Sequence, residues 1–160
     1  MTAKEITIRP VTTDDLPAIE AITAEVFEPV ALEGRIAAAL GAGGGPGWLT
    51  LKMHLIRAEM QNLPDGCFVA QQDGRVVGYV TNSINAAASR GYISSLALRG
   101  DCQGQGIGRA LVGRSLEYFR ARKLRQAKID TMDNNEVGRH LYPALGFKEA
   151  GRVIHYVMNL

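Results

Sequence analysis

The sequence predicts an α/β (α+β) fold: a central mixed sheet, mostly antiparallel, of about six to seven strands flanked by helices. Three observations carry this. Period-two apolar runs bracket Asp73-Gly74 in mid-chain. Apolar residues at helical spacing fill the segments before and after them. Strands and helices alternate, with at least one strand–helix–strand crossover. A length of 160 residues fits one domain spanning 1–160, since domains run to roughly 100–200 residues.

The elements follow in order. Ile6-Thr7-Ile8-Arg9 alternates and reads as a first strand. Asp14 and Asp15 open a helix by capping free N–H groups, with Pro17 in the first turn where no donor is needed. Leu16, Ile19, Ile22, Val26 and Phe27 recur at helical spacing. Leu32, Ile36 and Leu40 form a second stripe, which Gly41 ends. After a glycine-rich link, Trp48 to Gln61 reads as a helix with two apolar rows. One holds Trp48, Leu51, Leu55 and Ala58; the other holds Leu49, Met53, Ile56 and Met60. A helix so widely apolar is deeply buried or has a partner.

From Cys67 the period changes to two. Cys67–Gln71 and Val76–Val80 flank Asp73-Gly74, a type I′ hairpin signal. Tyr92–Leu98 is a further strand, and in a helix over about Ile107–Lys123 the residues Gly108, Leu111, Val112, Ser115 and Phe119 share one face. Lys128–Thr131 reads as a strand, and Asn135 caps a short helix ending near Leu145. Phe147–Ala150 and Val153–Met158 close the chain as two strands.

Composition removes several function classes. The chain is 46% hydrophobic and 21% charged, enough apolar mass for a core. A net charge of +2 excludes a bulk polycation that would wrap nucleic acid by charge alone. Met1–Ile6 carries no apolar signal region, and glycines break the charge-free stretch Ile36–Leu51, so no membrane partner is expected. Cys67 and Cys102 are too few for a disulfide scaffold, and a reducing cytoplasm is the default compartment. His54, His140 and His155 lie too far apart in sequence for a zinc spacing, so no metal is expected.

The chemistry signal is Gln103-Gly104-Gln105-Gly106-Ile107-Gly108, between an apolar strand and a helix. Glycines let backbone approach a ligand, and amides at a helix N-terminus present positive charge to a phosphate. The spacing is not a dinucleotide fingerprint, because Arg109 stands where the third glycine would fall. No P-loop Gly-Lys-Ser/Thr occurs either. A tight turn that binds nothing is the alternative.

This loop resembles the pyrophosphate loop of the GNAT superfamily of acyl-CoA-dependent N-acyltransferases. Ile93–Leu98 sits where that family has the strand lying along the pantetheine. Asn135, Gly138, Leu141 and Tyr142, followed by Leu145-Gly146-Phe147, resemble its second signature. The likeness covers most of the chain, with 30–64 the poorest fit. It implies acetyl-CoA as acyl donor and a primary amine as acceptor, joined by direct attack in a ternary complex. Backbone groups of Leu96 and Leu98, with Ala97 between them, would hold the pantetheine amides. Gln103, Gly104, Gln105, Gly106, Ile107 and Gly108, with Arg109 nearby, would hold the pyrophosphate. Asn135 would contact the pantetheine arm or cap its helix. Tyr142 would be the general acid that protonates the leaving thiolate; its alternative is a core aromatic. Pro143 follows it and could kink the helix so as to aim the hydroxyl.

The general base stays open. Many members of the family place a glutamate on the strand before the loop, where this chain has Ser94 and Ser95. Asp130, Asp133, His54 and His155 are substitutes, each also readable as a solvated charge, a cap or a packed side chain. Cys102 beside the loop could relay the acyl group, although direct transfer is the family norm. Residues 30–64 would line an acceptor pocket, with Trp48, Met53 and His54 as candidates, or form a homodimer surface.

Two other function classes remain. A CoA-binding sensor without turnover would fit the missing strand glutamate. The basic run Arg120, Arg122, Lys123 and Arg125 invites nucleic acid, but no stacking aromatic accompanies it, so none is expected as a partner. Charge is uneven: residues 1–89 hold 6 basic and 10 acidic groups, and residues 90–128 hold 9 and 2. A phosphate-rich cosubstrate fits the basic block, and a cationic amine fits the acidic one.

Overall fold

The computed structural model describes residues 5–27, 30–41 and 45–160. Met1–Lys4 of the N-terminus and residues 42–44 of the glycine-rich link, on both of which sequence expectations fall, lie outside them. Five strands form one mixed sheet: β1 (Ile6–Pro10), β2 (Phe68–Gln72), β3 (Arg75–Asn85), β4 (Arg90–Leu98) and β5 (Gln126–Ile129), in that spatial order. Pairings from β1 to β4 are antiparallel, while β5 runs parallel to β4. The helices are α1 (Leu16–Val26), α2 (Leu32–Leu40), α3 (Trp48–Asn62), α4 (Ile107–Ala121) and α5 (Glu136–Ala144).

Local signals act as expected where they are self-contained. Asp73 and Gly74 turn β2 into β3 with φ of 52° and 76°, the two positive values a type I′ turn requires. Gly41 ends α2, and the Asn135 side chain accepts from the Gly138 amide at 3.2 Å to start α5. The expected aspartate cap differs: Asp15 stands at the N-cap of α1 without a side-chain bond to the helix, and its carboxylate reaches back over the 3-10 turn Thr13–Asp15 to accept the Thr12 amide at 2.8 Å.

The expected six to seven mostly antiparallel strands are corrected to a mixed sheet of five. Phe147–Ala150 and Val153–Met158 have strand composition but pair with no strand edge. Composition favours a strand only where a ladder partner satisfies its amides. Val153, Ile154, Tyr156 and Met158 are instead exposed.

Each face of the sheet has its own core. On one, α4 lays Ile107, Leu111, Val112 and Phe119 on Phe68, Val80 and Ile93. On the other, α1 and α3 lay Ile19, Ile22, Met53, Ile56 and Met60 on Val69, Tyr79 and Ala97. Only one apolar row of α3 is therefore buried; Leu51 and Leu55 of the other row face solvent.

Candidate functional site

The site begins with a strand that loses its neighbour. β4 pairs with β5 only from Arg90 to Ile93, whereas it pairs with β3 along its full length. Thr81 lies opposite Ser95 and Asn82 opposite Ile93, so Ser94 is an extra residue, a bulge. A bulge raises local twist and bends a strand away from its partner. From Ser94 to Leu98, the β4 edge that β5 leaves has no strand beside it among the described residues. Leu96, Ala97 and Leu98 lie there, with Ala97 buried toward α1 and α3, and with Leu96 and Leu98 packed toward α4.

The open edge leads straight into the glycine loop. Gly104 and Gly106 have φ of 76° and 80°, which other residues rarely adopt. A Cβ at either would meet nothing within 4 Å, so the space above the loop is open. Gly106 is the N-cap of the 15-residue α4. The first amides of that helix, those of Ile107, Gly108 and Arg109, lack intrahelical acceptors and carry the positive end of its dipole. The loop is braced from behind. Glu25 on α1 accepts the Gly100 amide at 2.7 Å, and Gln105 donates to the Asp101 carbonyl at 3.2 Å. Gln103, Gln105 and Arg109 are exposed on the rim.

Beyond β5, α5 presents Tyr142. Its ring packs edge-on against Phe147, centroids 6.2 Å apart, and against the α4-side core. Burial pushes its hydroxyl up to about 12. The group therefore stays protonated at neutral pH, a donor rather than a base. Gly138 sits beneath the ring: a Cβ there would lie 2.9 Å from Tyr142 Cε2 and 2.8 Å from Thr131 Oγ1. Pro143 lies inside α5, directly after Tyr142. Asn135 is engaged as the cap of that helix.

The face under α1 and α3 is the polar one. Tyr79 and Thr23 hydroxyls bond at 2.8 Å. Thr81 donates to Glu59 Oε2 at 2.5 Å, and Ser83 and Ser94 hydroxyls lie 3.4 Å apart. The Tyr92 hydroxyl donates to Asp130 at 3.0 Å. Glu59, on α3, thus holds a carboxylate over the β3 residue that pairs with Ser95. Sequence reasoning passed over it, because a contact 22 residues apart leaves no local signal.

Of the substitutes for a strand glutamate, Asp130 is held by Tyr92 and by Lys128 at 2.9 Å, and Asp133 pairs with Arg35 at 2.9 Å. His54 and His155 are exposed, His155 within the unpaired tail. Met53 is core, while Trp48 is half-buried. Cys102 is buried, and burial with the Asp101 carboxylate that accepts its S–H raises its pKa, the opposite of what a nucleophile needs. Cys67 is pushed up to about 11 by burial. No helix of the described residues is long and apolar enough to cross a membrane, and those residues contain no cluster fit to hold a metal ion.

Known proteins are similar to this chain in sequence or in fold. An uncharacterized N-acetyltransferase of Methanocaldococcus jannaschii is 35% identical over 88 residues, 54% of this chain and 54% of that protein. The match thus spans about half the length of that relative. N-alpha-acetyltransferase 30 of Schizosaccharomyces pombe is 29% identical over 109 residues, 66% of this chain and 73% of that one. The paia N-acetyltransferase of Thermoplasma acidophilum, solved in complex with coenzyme A, superposes with a TM-score of 0.70. It covers 90% of each chain at 16% identity, a likeness of fold. The model of the acetyltransferase (GNAT) family matches residues 33–147, well over half of the sequence, and the chain belongs to that family.

Proposed function

We propose that this chain moves an acetyl group from acetyl-CoA to a primary amine by direct attack in a ternary complex. One observation carries the reading: the β4 edge opens at Ser94 and runs into an unobstructed loop at the N-terminus of α4. An extended polyamide such as pantetheine can add to that edge like a strand, through backbone groups of Leu96, Ala97 and Leu98. Its pyrophosphate then reaches the amides from Gln103 to Gly108, with the Arg109 guanidinium beside them. Asn135 acts by holding α5 in place through its cap.

Two demands of the chemistry follow. The thiolate that leaves needs a proton, and Tyr142 keeps one throughout the neutral range. The incoming amine must lose one, and no acid stands on β4. That gap favours a second reading, a CoA-binding sensor without turnover. Tyr142, with no other hydrogen-bond partner among the described residues, favours transfer. The acidic balance of residues 1–89 supports a cationic acceptor, as a polyamine or a basic peptide N-terminus would be. Cytoplasmic localisation belongs to the same proposal and accords with two free thiols.

Thiol release from acetyl-CoA across a panel of amines tests both readings. Spermidine and basic peptides are expected to turn over faster than aspartate or acidic peptides. Tight CoA binding with no release for any amine establishes the sensor instead. Preference for acidic acceptors overturns the charge argument.

A further inference from the structure

The transferase reading leaves the amine's proton without a destination, and the polar face supplies one. Glu59 is half-buried on α3 and is held by a single donor, the Thr81 hydroxyl at 2.5 Å. Thr81 lies opposite Ser95, one residue past the bulge at which β4 parts from β5. The carboxylate therefore stands over the strand level where the open edge begins. No cation among the described residues comes within ion-pairing distance of it. Lys52 lies two turns earlier on the same face of α3, where it feels the Glu59 charge, but its ammonium sits over the Phe27 ring at 4.8 Å and forms no ion pair with the carboxylate. A half-buried carboxylate with no ion-pair partner in contact among the described residues, at the level where the strand edge opens, is a place for a cation to arrive.

We propose that Glu59 is the general base of this enzyme, taking the proton of the acceptor's ammonium directly or through one water. This rests on the transferase reading above. The acceptor R–NH3+ gives one proton to the Glu59 carboxylate, and the freed lone pair attacks the thioester carbon. The C–N bond forms and the C–S bond breaks. Tyr142 gives its proton to the departing sulfur, and the second amine proton leaves through solvent as Tyr142 is reprotonated. Glu59 then releases its proton to solvent, so one R–NH3+ and one thioester yield one amide, one thiol and one proton. The acid and the base approach from opposite sides of the open edge, Tyr142 with the α4-side core and Glu59 with α3.

The groups around Glu59 leave it the acid–base role. Cys67, held up to about 11, immediately precedes β2. Tyr92 on β4 is held up to about 12, and Tyr79 on β3 is raised further still by burial. All three stay neutral between pH 6 and pH 9. Thr23 on α1 carries no charge. Only Lys52 on α3 is a nearby cation, and burial lowers its pKa.

The test is Glu59→Gln, which keeps the shape and can still accept from Thr81. Its thiol release is measured from pH 6 to pH 9 with the best acceptor of the amine panel. CoA affinity by calorimetry and thermal melting accompany it. At pH 7, kcat is expected to fall roughly 100-fold, at the low end for a lost general base. CoA affinity and melting should match the wild type. Residual activity should climb with pH toward the amine's own pKa, whereas wild-type activity levels off. Glu59→Asp should recover part of the rate and restore the levelling. Activity within threefold of wild type, or a loss with an unchanged pH profile, overturns the assignment and leaves Glu59 a packing residue. A wild type that releases thiol with no amine sinks the transferase reading, and this one with it; a wild type that turns over beside an equally active Glu59→Gln sinks only this one.

Discussion

The two faces of the sheet are built from different material. Under α4 the contacts are apolar, Leu111, Val112 and Phe119 on Phe68, Val80 and Ile93, with the Asn82–Ser115 bond of 2.8 Å the main polar exception. Under α1 and α3 the apolar floor of Ile19, Ile22, Met53 and Ile56 is interrupted by Thr23–Tyr79, Thr81–Glu59 and Tyr92–Asp130. Apolar packing supplies cohesion without direction. Hydrogen bonds between side chains fix position. One face is mainly apolar and cohesive and the other is cut by polar pairs, with the open β4 edge between them, Tyr142 on the apolar side and Glu59 on the polar one.

The widest separation should come from Leu111→Ala. This fully buried leucine lies in the second turn of α4. Its truncation should cost about 2–5 kcal/mol in denaturant unfolding. Turnover per folded molecule should stay near wild type, because no group at the open edge is removed. A large drop in kcat at full occupancy of the folded state would break the division between the faces.

Tyr142→Phe should do the reverse. The ring keeps its edge-on contact with Phe147, so melting should change little. Loss of the donor should lower kcat on the order of 100-fold, about 2.7 kcal/mol in the barrier. Since burial holds the hydroxyl up to about 12, its proton is present at every pH below that. Any alkaline decline in kcat between pH 8 and pH 11 should therefore persist unchanged in Tyr142→Phe. A decline that vanishes in the variant would mean that the hydroxyl titrates far lower and sits in water.

The same contrast explains what the sequence could disclose. The α4 face was legible almost residue by residue: Gly108, Leu111, Val112, Ser115 and Phe119 follow helical spacing, and all are buried. The loop and the Asp73-Gly74 turn were legible because positive φ is demanded within a few residues. Glu59 was not, since its meaning depends on Thr81 across the sheet and on a bulge at Ser94 that no local pattern announces. Trp48–Gln61 showed two apolar rows, and only packing decided which one turns inward. The closing segments failed for a related reason: Val153–Met158 has the side chains of a strand, but a strand is a relation between two edges.

A subtler probe of the open edge is Gly138→Ala. The added Cβ would press on Thr131 Oγ1 and the Tyr142 ring, so the ring must shift by some tenths of an ångström. A misaimed donor should lower kcat about tenfold, near 1.4 kcal/mol. If displacement of Tyr142 is the cause, Gly138→Ala added to Tyr142→Phe should cost almost nothing more. Full additivity would place the effect in α5 stability instead.

The most pH-sensitive effect, of about the same size, should be at Asp15. Asp15 is buried, accepts from Arg9 Nη1 at 2.8 Å and Nη2 at 2.7 Å, and also takes the Thr12 amide. The Arg9 guanidinium holds its carboxyl below the usual carboxylate range, against the opposing pull of burial. The unfolded chain, near 3.9 for an aspartate, therefore binds the proton first as pH falls. The stabilisation is complete above about pH 4 to 5 and is lost as pH drops through the lower folded value. Asp15→Asn should cost about 1.5 kcal/mol at pH 7, in the range of hydrogen bonds to charged groups. That cost should shrink toward zero in acid, whereas the cost of Leu111→Ala should be the same at pH 3 and pH 7. Asp15 joins β1 to the start of α1, so its acid limb belongs to the polar face alone. Two costs that fall together with pH would mean that the faces share one electrostatic fate and that their division is only geometric.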